Sequence, residues 1–233
     1  MKLVAQMVCK NEADRFLEPV LKHLTSIVDE VVFTDDCSTD NSVEIAASYG
    51  AHTYKMDEST FATNEGLLRN TAWNNLSNHA SPGDWVLAID ADEELWSSRP
   101  DNDIRKLMAQ DSFDVINIRF FHMWNETHYR NDKLWTPNNS TRMFRFFYGG
   151  QFLDRKLACG SEPTYVQTLM RRGRYMADSG LIMKHLGYVR DEDKKMKYDR
   201  YMALDHGDFH QLSHIESIID PEPELIEWKY GQD

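Results

Sequence analysis

The sequence predicts an α/β protein whose mostly parallel, Rossmann-like sheet is flanked by helices. Two observations carry this. Short apolar runs alternate with helix-length amphipathic stretches through the first half of the chain, the pattern of strands covered on both faces. Acidic and amide residues follow three of those runs, as expected where strands end at a ligand-binding rim. The second half adds aromatic-rich strands and charged helices with no repeat or low-complexity linker. One domain is therefore expected over residues 1–233, with a first half at 1–95 and an extension at 96–233.

The elements follow in order. Leu3 to Val8 reads as a buried strand, and Asn11 precedes a helical pattern with Phe16, Val20 and Leu24 at four-residue spacing. Val31 to Thr34 is a second strand, ending in Asp35-Asp36-Cys37-Ser38-Thr39-Asp40-Asn41-Ser42, a stretch rich in turn and N-cap residues. Val43 to Tyr49 is a helix closed by Gly50, and Ala51 to Met56 a third strand. Thr63 to Asn78 is a longer helix with Leu67, Leu68, Ala72 and Leu76 on one face. After the turn Ser81-Pro82-Gly83-Asp84, a fourth strand, Trp85 to Ile89, runs into Asp90-Ala91-Asp92-Glu93-Glu94. Strands are expected at Val115–Met123, Thr141–Phe147 and Leu181–His185, and a charged helix at Asp191–Leu204. Lys10-Asn11, Asp35-Asp36 and Asp90-Ala91-Asp92 should share one rim, beyond the carboxyl ends of their strands.

Composition narrows the partners. With 26 Lys and Arg against 38 Asp and Glu, the net charge is −12, which repels nucleic acid and anionic membranes unless a basic pocket is local. No run reaches the ~18 apolar residues of a membrane span. The apolar stretch within the opening MKLVAQMVCKNEADR is too short for a signal peptide. Cys9, Cys37 and Cys159 are odd in number and scattered, which disfavours a disulfide framework or structural zinc. A reduced, cytoplasmic protein, peripheral to a membrane at most, is expected.

Asp90 and Asp92 form an Asp-x-Asp pair just past a buried strand. Alone such a pair reads as a solvated loop; at a strand end it suits a hard divalent ion that would neutralise a diphosphate. Asp36 can accept from a base or a ribose hydroxyl, or can belong to a helix-capping cluster. Arg69 can pair with a diphosphate, though spacing alone reads as a surface arginine. His185 can complete a metal site or be structural. His206, His210 and His214 recur every four residues, but Gly207 weakens the helix, so they read as surface or packing. Phe120 to Trp124 and Trp135 can stack on a sugar ring or fill the core. No Gly-rich dinucleotide fingerprint, P-loop or nucleophile elbow is present.

Val-Cys-Lys-Asn-Glu at 8–12, Asp-Asp-Cys-Ser-Thr-Asp-Asn-Ser at 35–42, Arg69-Asn70-x-Ala72 and Gly-Asp-Trp-Val-Leu-Ala-Ile-Asp-Ala-Asp-Glu at 83–93 resemble, in motif and in order, the family 2 glycosyltransferases. The resemblance is specific over roughly the first ~95 residues. It implies the GT-A fold, a nucleotide-sugar donor (most often a uridine diphosphate sugar), a manganese or magnesium ion, and inverting transfer to a hydroxyl of a saccharide or glycoconjugate. The first half would then bind the donor and the second the acceptor. By motif, Gln6, Val8 and Lys10 would line the nucleoside pocket and Asp36 would hold the base. Arg69 would contact the diphosphate, Asp90 would lie near ribose and metal, and Asp92 would ligate the ion. Cys159-Gly160-Ser161-Glu162-Pro163 is similar to a segment often reading His-Glu, which makes Glu162 the implied catalytic base, although Ser161 departs from the pattern. His185-x-Gly187-Tyr188 resembles a segment whose histidine is a further metal ligand. Lys195 and Arg200 would close over phosphate.

Three other readings compete. A sugar nucleotidyltransferase would want a Gly-rich loop after the first strand, where Cys9-Lys10-Asn11-Glu12 has no glycine. A hydrolase using Glu162 and Asp92 leaves Asp36 and Arg69 unexplained. A non-catalytic nucleotide-sugar-binding protein on the same fold needs only the first half.

Overall fold

The computed structural model describes residues 1–98, 103–157, 159–205 and 210–229. Its first half runs β1 (Leu3–Cys9), α1 (Leu17–Leu24), β2 (Glu30–Asp35), α2 (Ser42–Ser48), β3 (His52–Lys55), α3 (Glu65–Leu76) and β4 (Trp85–Ala88). The second runs β5 (Glu93–Ser97), α4 (Ile104–Met108), β6 (Val115–His122), β7 (His128–Arg130), β8 (Asn138–Arg145), α5 (Thr164–Arg171) and β9 (Tyr175–Met176). It ends in β10 (Leu181–His185), α6 (Asp191–Leu204), α7 (Leu212–Glu216) and β11 (Leu225–Glu227).

One sheet passes through both halves in the order β3-β2-β1-β4-β8-β6-β10-β5, with β9 beside β6. The strands from β3 to β4 are parallel, as their covered, apolar sequences demand. Beyond them β8 runs antiparallel to β4 and β6, and β5 antiparallel to β10. No helix among the described residues is long and apolar enough to cross a membrane.

β1 shows how the sequence sets the layers. Alternate side chains leave opposite faces of a strand. Leu3, Ala5, Met7 and Cys9 therefore pack with Leu17, Val20, Leu21 and Leu24 of α1, while Val4 packs with Trp73 and Leu76 of α3. Each fully buried aliphatic side chain contributes about 1.5–3 kcal/mol relative to exposure. The inward face of α3 is Leu68, Ala72, Trp73 and Leu76; Leu67, expected among them, points out with 47% exposure because it sits one position off the four-residue row. Trp124, Trp135, Tyr188 and Ile218 form a third cluster under the C-terminal elements.

Candidate active site

The registers bring the three strand ends together. Cys9 of β1 pairs with Asp35 of β2, and Gln6 with Ala88 of β4, so Lys10, Asp36 and Asp90 emerge on one rim. The Asp36 amide donates to the Cys9 carbonyl at 2.8 Å, extending the parallel ladder to the edge. Asn11 then takes a left-handed turn (φ 55°), which asparagine tolerates better than most residues. From there its side chain accepts from the Thr39 amide at 2.8 Å, and its own amide donates to the Ser38 hydroxyl at 2.8 Å. The loops after β1 and β2 thus lock each other.

The Asp36 carboxylate is buried and accepts from the Ser59 hydroxyl at 2.6 Å, the Thr60 amide at 2.7 Å and the Phe61 amide at 3.3 Å. Lys10 lies 3.7 Å away. Asp36 therefore anchors the 59–61 segment against the rim while facing the cavity.

After β4 the chain turns at Asp90 and enters β5. Asp90 stands between two guanidinium groups, Arg69 of α3 and Arg142 of β8, each at 3.6 Å. Glu93 is fully buried behind it, accepting from Arg142 at 2.8 Å and from the Asp90 amide at 2.9 Å. Burial pushes the Glu93 carboxyl up, and Arg142 opposes that rise. Arg142 also donates to the Ser161 hydroxyl at 2.6 Å.

Asp92 meets β10 and α6. The antiparallel pair of β5 and β10 sets Glu93 opposite His185, which brings His185 Nε2 to 3.4 Å from Asp92 Oδ2. Lys197 of α6 donates to that oxygen at 3.0 Å and lies 3.1 Å from His185 Nε2. An ammonium has no lone pair, so Nε2 is the acceptor. Burial, then Lys197, lower the His185 pKa and keep the imidazole neutral. Its proton therefore sits on Nδ1 and is donated to His122 Nδ1 at 2.9 Å. Burial would raise the Asp92 pKa, but the Lys197 ammonium and, farther off, the Arg15 guanidinium hold it well below the usual carboxylate range. Asp92 Oδ2 and His185 Nε2 thus aim two lone pairs at one cation. Gly187 permits the approach, since a Cβ there would lie 2.0 Å from Lys197 Nζ and 2.3 Å from Asp92 Oδ2.

These groups line a cavity of about 650 Å³, within the range of small-molecule sites. Its lining holds Lys10, Arg15, Arg69, Arg142, Lys197 and Arg200 against Glu12, Asp36, Glu65, Asp90, Asp92 and Glu93, so a chain of net charge −12 presents a locally balanced pocket. Buried nitrogens of Arg15 (Nη2) and Arg200 (Nε) lack hydrogen-bond partners, which suits an anionic ligand.

Val8, Lys10, Asp36, Arg69, Asp90, Asp92 and His185 all line this cavity. Gln6 does not: it sits one pleat below the rim, 4% exposed, in mid-sheet between Val32 and Ala88. Glu162 is also outside the lining and accepts from Gln167 at 2.8 Å. Lys195 faces solvent and pairs with Asp199, and Lys197 takes the inward place. Glu12, Arg15, Glu65, Glu93, His122 and Arg142 were not legible as site residues. The spacing Asp193, Lys197, Arg200, Tyr201, Leu204 along one helical face could have shown Lys197. His210 and His214 line the cavity rather than the surface, with His214 stacked on Trp135 at 4.3 Å. His206 lies outside the described residues. Phe120 and Trp135 belong both to the packing and to the cavity wall.

Glu12 gives a test of these electrostatics. One carboxylate oxygen pairs with Arg15 and the other is buried without a partner. Burial pushes its pKa to about 7, well above the usual carboxylate range, despite Arg15. The folded state therefore binds a proton that the unfolded state has released, and stability falls as pH rises from 4.5 through 7. Glu12→Gln removes that penalty. Its melting temperature relative to the parent is expected to rise by several degrees between pH 5 and pH 8, as measured by thermal unfolding. A difference independent of pH would show that the carboxyl titrates normally.

The family described as Glycosyl transferase family 2 matches residues 6–167. An uncharacterized glycosyltransferase of Rickettsia bellii is 31% identical over 150 residues, 61% of this chain and 46% of that protein. Its counterpart in Rickettsia felis is 31% identical over 61% of this chain and 47% of that protein. The chain thus spans about half the length of the curated relatives it matches. Among solved structures, residues 1–349 of Staphylococcus aureus TarS in complex with UDP align with a TM-score of 0.54 and 17% identity, covering 94% of this chain and 70% of that one. The fold is that of the GT-A glycosyltransferases.

Proposed function

The chain belongs to glycosyl transferase family 2, and on that premise we propose that it moves a sugar, with inversion, from a nucleotide diphosphate donor to an acceptor hydroxyl of a saccharide or glycoconjugate. The observation that carries this reading is the convergence of Asp36, Arg69, Asp90, Asp92 and His185 on one cavity whose six cationic side chains offset its six carboxylates. Uridine diphosphate is the proposed nucleotide. Val8, Lys10 and Asp36 would take the nucleoside, and Arg69, Arg15 and Arg200 the diphosphate. Phe120, Trp135 and Tyr188 offer ring faces for sugars.

A divalent ion, manganese or magnesium, fits the donor set. Asp92 Oδ2 and His185 Nε2 stand 3.4 Å apart with both lone pairs turned to the same point. The ion would offset charge on the departing diphosphate. Lys197, now within 3.1 Å of both atoms, would yield that point and turn its ammonium to the phosphates. Glu162 remains the proposed base and would exchange Gln167 for the acceptor hydroxyl. Nucleotide-sugar binding without transfer is the second reading, favoured by Glu162 lying off the cavity.

The test is thermal stability against a panel of nucleoside diphosphates, each with and without manganese. A ligand at about 100 times its Kd stabilises by about 2.7 kcal/mol. A shift with uridine diphosphate that manganese enlarges is expected. No shift with any nucleotide would overturn the donor site. A donor sugar released or transferred on turnover would then separate the enzyme from the binding protein.

A further inference from the structure

Three side chains at the opposite end of the sheet form a second cation-ligating group. Glu30 opens β2, His52 opens β3, and His79 follows α3, whereas the active-site rim lies at the far ends of the same strands. Glu30 Oε2 is 3.3 Å from His52 Nε2 and 3.4 Å from His79 Nδ1, and all three atoms lie within 4.8 Å of one another. We propose that Glu30, His52 and His79 bind a zinc ion that clips the edge strand β3 to β2 and to the end of α3.

Two ligands about 2.1 Å from a tetrahedral zinc stand about 3.4 Å apart, the separation both nitrogens keep from the Glu30 oxygen. The two imidazole rings stack at 4.0 Å between centroids, which keeps one nitrogen of each within 4.8 Å of the other and of the carboxylate. Tyr54 of β3 lies 2.8 Å from His79 Nε2, an outer contact that can accept the Nε2 proton and leave the Nδ1 lone pair to ligate. Lys2 holds the other Glu30 oxygen at 2.5 Å, so the carboxylate offers Oε2 alone to the ion. A fourth position stays open to water or to a ligand from another molecule.

The test is calorimetric titration of zinc chloride into the full untagged chain and into His52→Ala and Tyr54→Phe. His52 is 44% exposed at its side chain, so its removal leaves the fold intact. Zinc taken up at the active-site rim is common to all three proteins and cancels in the comparison. The parent should bind one more equivalent than His52→Ala, and Tyr54→Phe should bind that equivalent about 10-fold more weakly. Equal stoichiometry in parent and His52→Ala, zero included, would overturn the proposal. Tyr54→Phe matching the parent would remove the tyrosine from it.

Discussion

Asp92→Ala is expected to abolish the strengthening of nucleotide diphosphate binding by manganese and to lower the melting temperature by roughly 6–20 °C. The two effects have one cause. The Asp92 carboxylate is buried and is the shared partner of Lys197 at 3.0 Å and of Arg15 at 3.9 Å. Removing one member of a buried pair leaves the other charge uncompensated and costs about 3–5 kcal/mol. At about 2–4 °C per kcal/mol for a chain of this length, that is a large shift. Metal-free nucleotide binding should fall less, because the freed Lys197 and Arg15 become better partners for phosphate. The decisive quantity is therefore the manganese-dependent increment in affinity, read by calorimetry with uridine diphosphate. Asp92→Asn, which keeps the volume and one oxygen acceptor, should recover part of the stability and none of the increment. An unchanged increment in Asp92→Ala would take Asp92 out of the ion site.

Much of this site was legible because chemistry and strand ends coincide in the sequence. Apolar runs ending in Lys10, Asp36 and Asp90 fix both the parallel strands and the rim they share. The shortfall follows from tertiary structure. No strand is expected where Glu93 and Glu94 close the acidic run; Glu93–Ser97 is a strand because β10 supplies its partner, and that pairing sets His185 beside Asp92. α6 carries no apolar stripe in Asp191-Glu192-Asp193-Lys194-Lys195, so only the later spacing of Lys197, Arg200, Tyr201 and Leu204 marks the inward face, and Lys195 lies off it. Gln6 lies outside the cavity while Val8, one pleat on, lines it, because motif position does not say where a strand reaches the rim. Arg142 was read as part of a strand, and its partners Asp90, Glu93 and Ser161 are 52, 49 and 19 residues away in sequence, arithmetic no local pattern encodes.

Lys197→Met is expected to raise the affinity of the nucleotide-free protein for manganese by at least about tenfold while lowering donor turnover. The ammonium occupies the point on which Asp92 Oδ2 and His185 Nε2 converge, 3.0 Å from one and 3.1 Å from the other. An ion entering there must displace it or bear its repulsion. Two unit charges 4 Å apart interact by about 4 kcal/mol at an effective dielectric constant of 20, so relief worth about 1.4 kcal/mol, a factor of ten, is a low bound. Methionine fills the space beside the Tyr188 ring, over which the ammonium now sits at 4.6 Å, and carries no charge. Without metal the variant should melt lower than the parent, since Asp92 keeps only the more distant Arg15. Added manganese should then stabilise the variant more than the parent, the reverse of what loss of a merely structural lysine would give. Lys195→Met, removing an exposed ammonium paired with Asp199, is the control and should change neither quantity. Equal manganese affinity in Lys197→Met and the parent would mean that ammonium and ion do not contend for the same two lone pairs, and that the ion enters elsewhere on the rim.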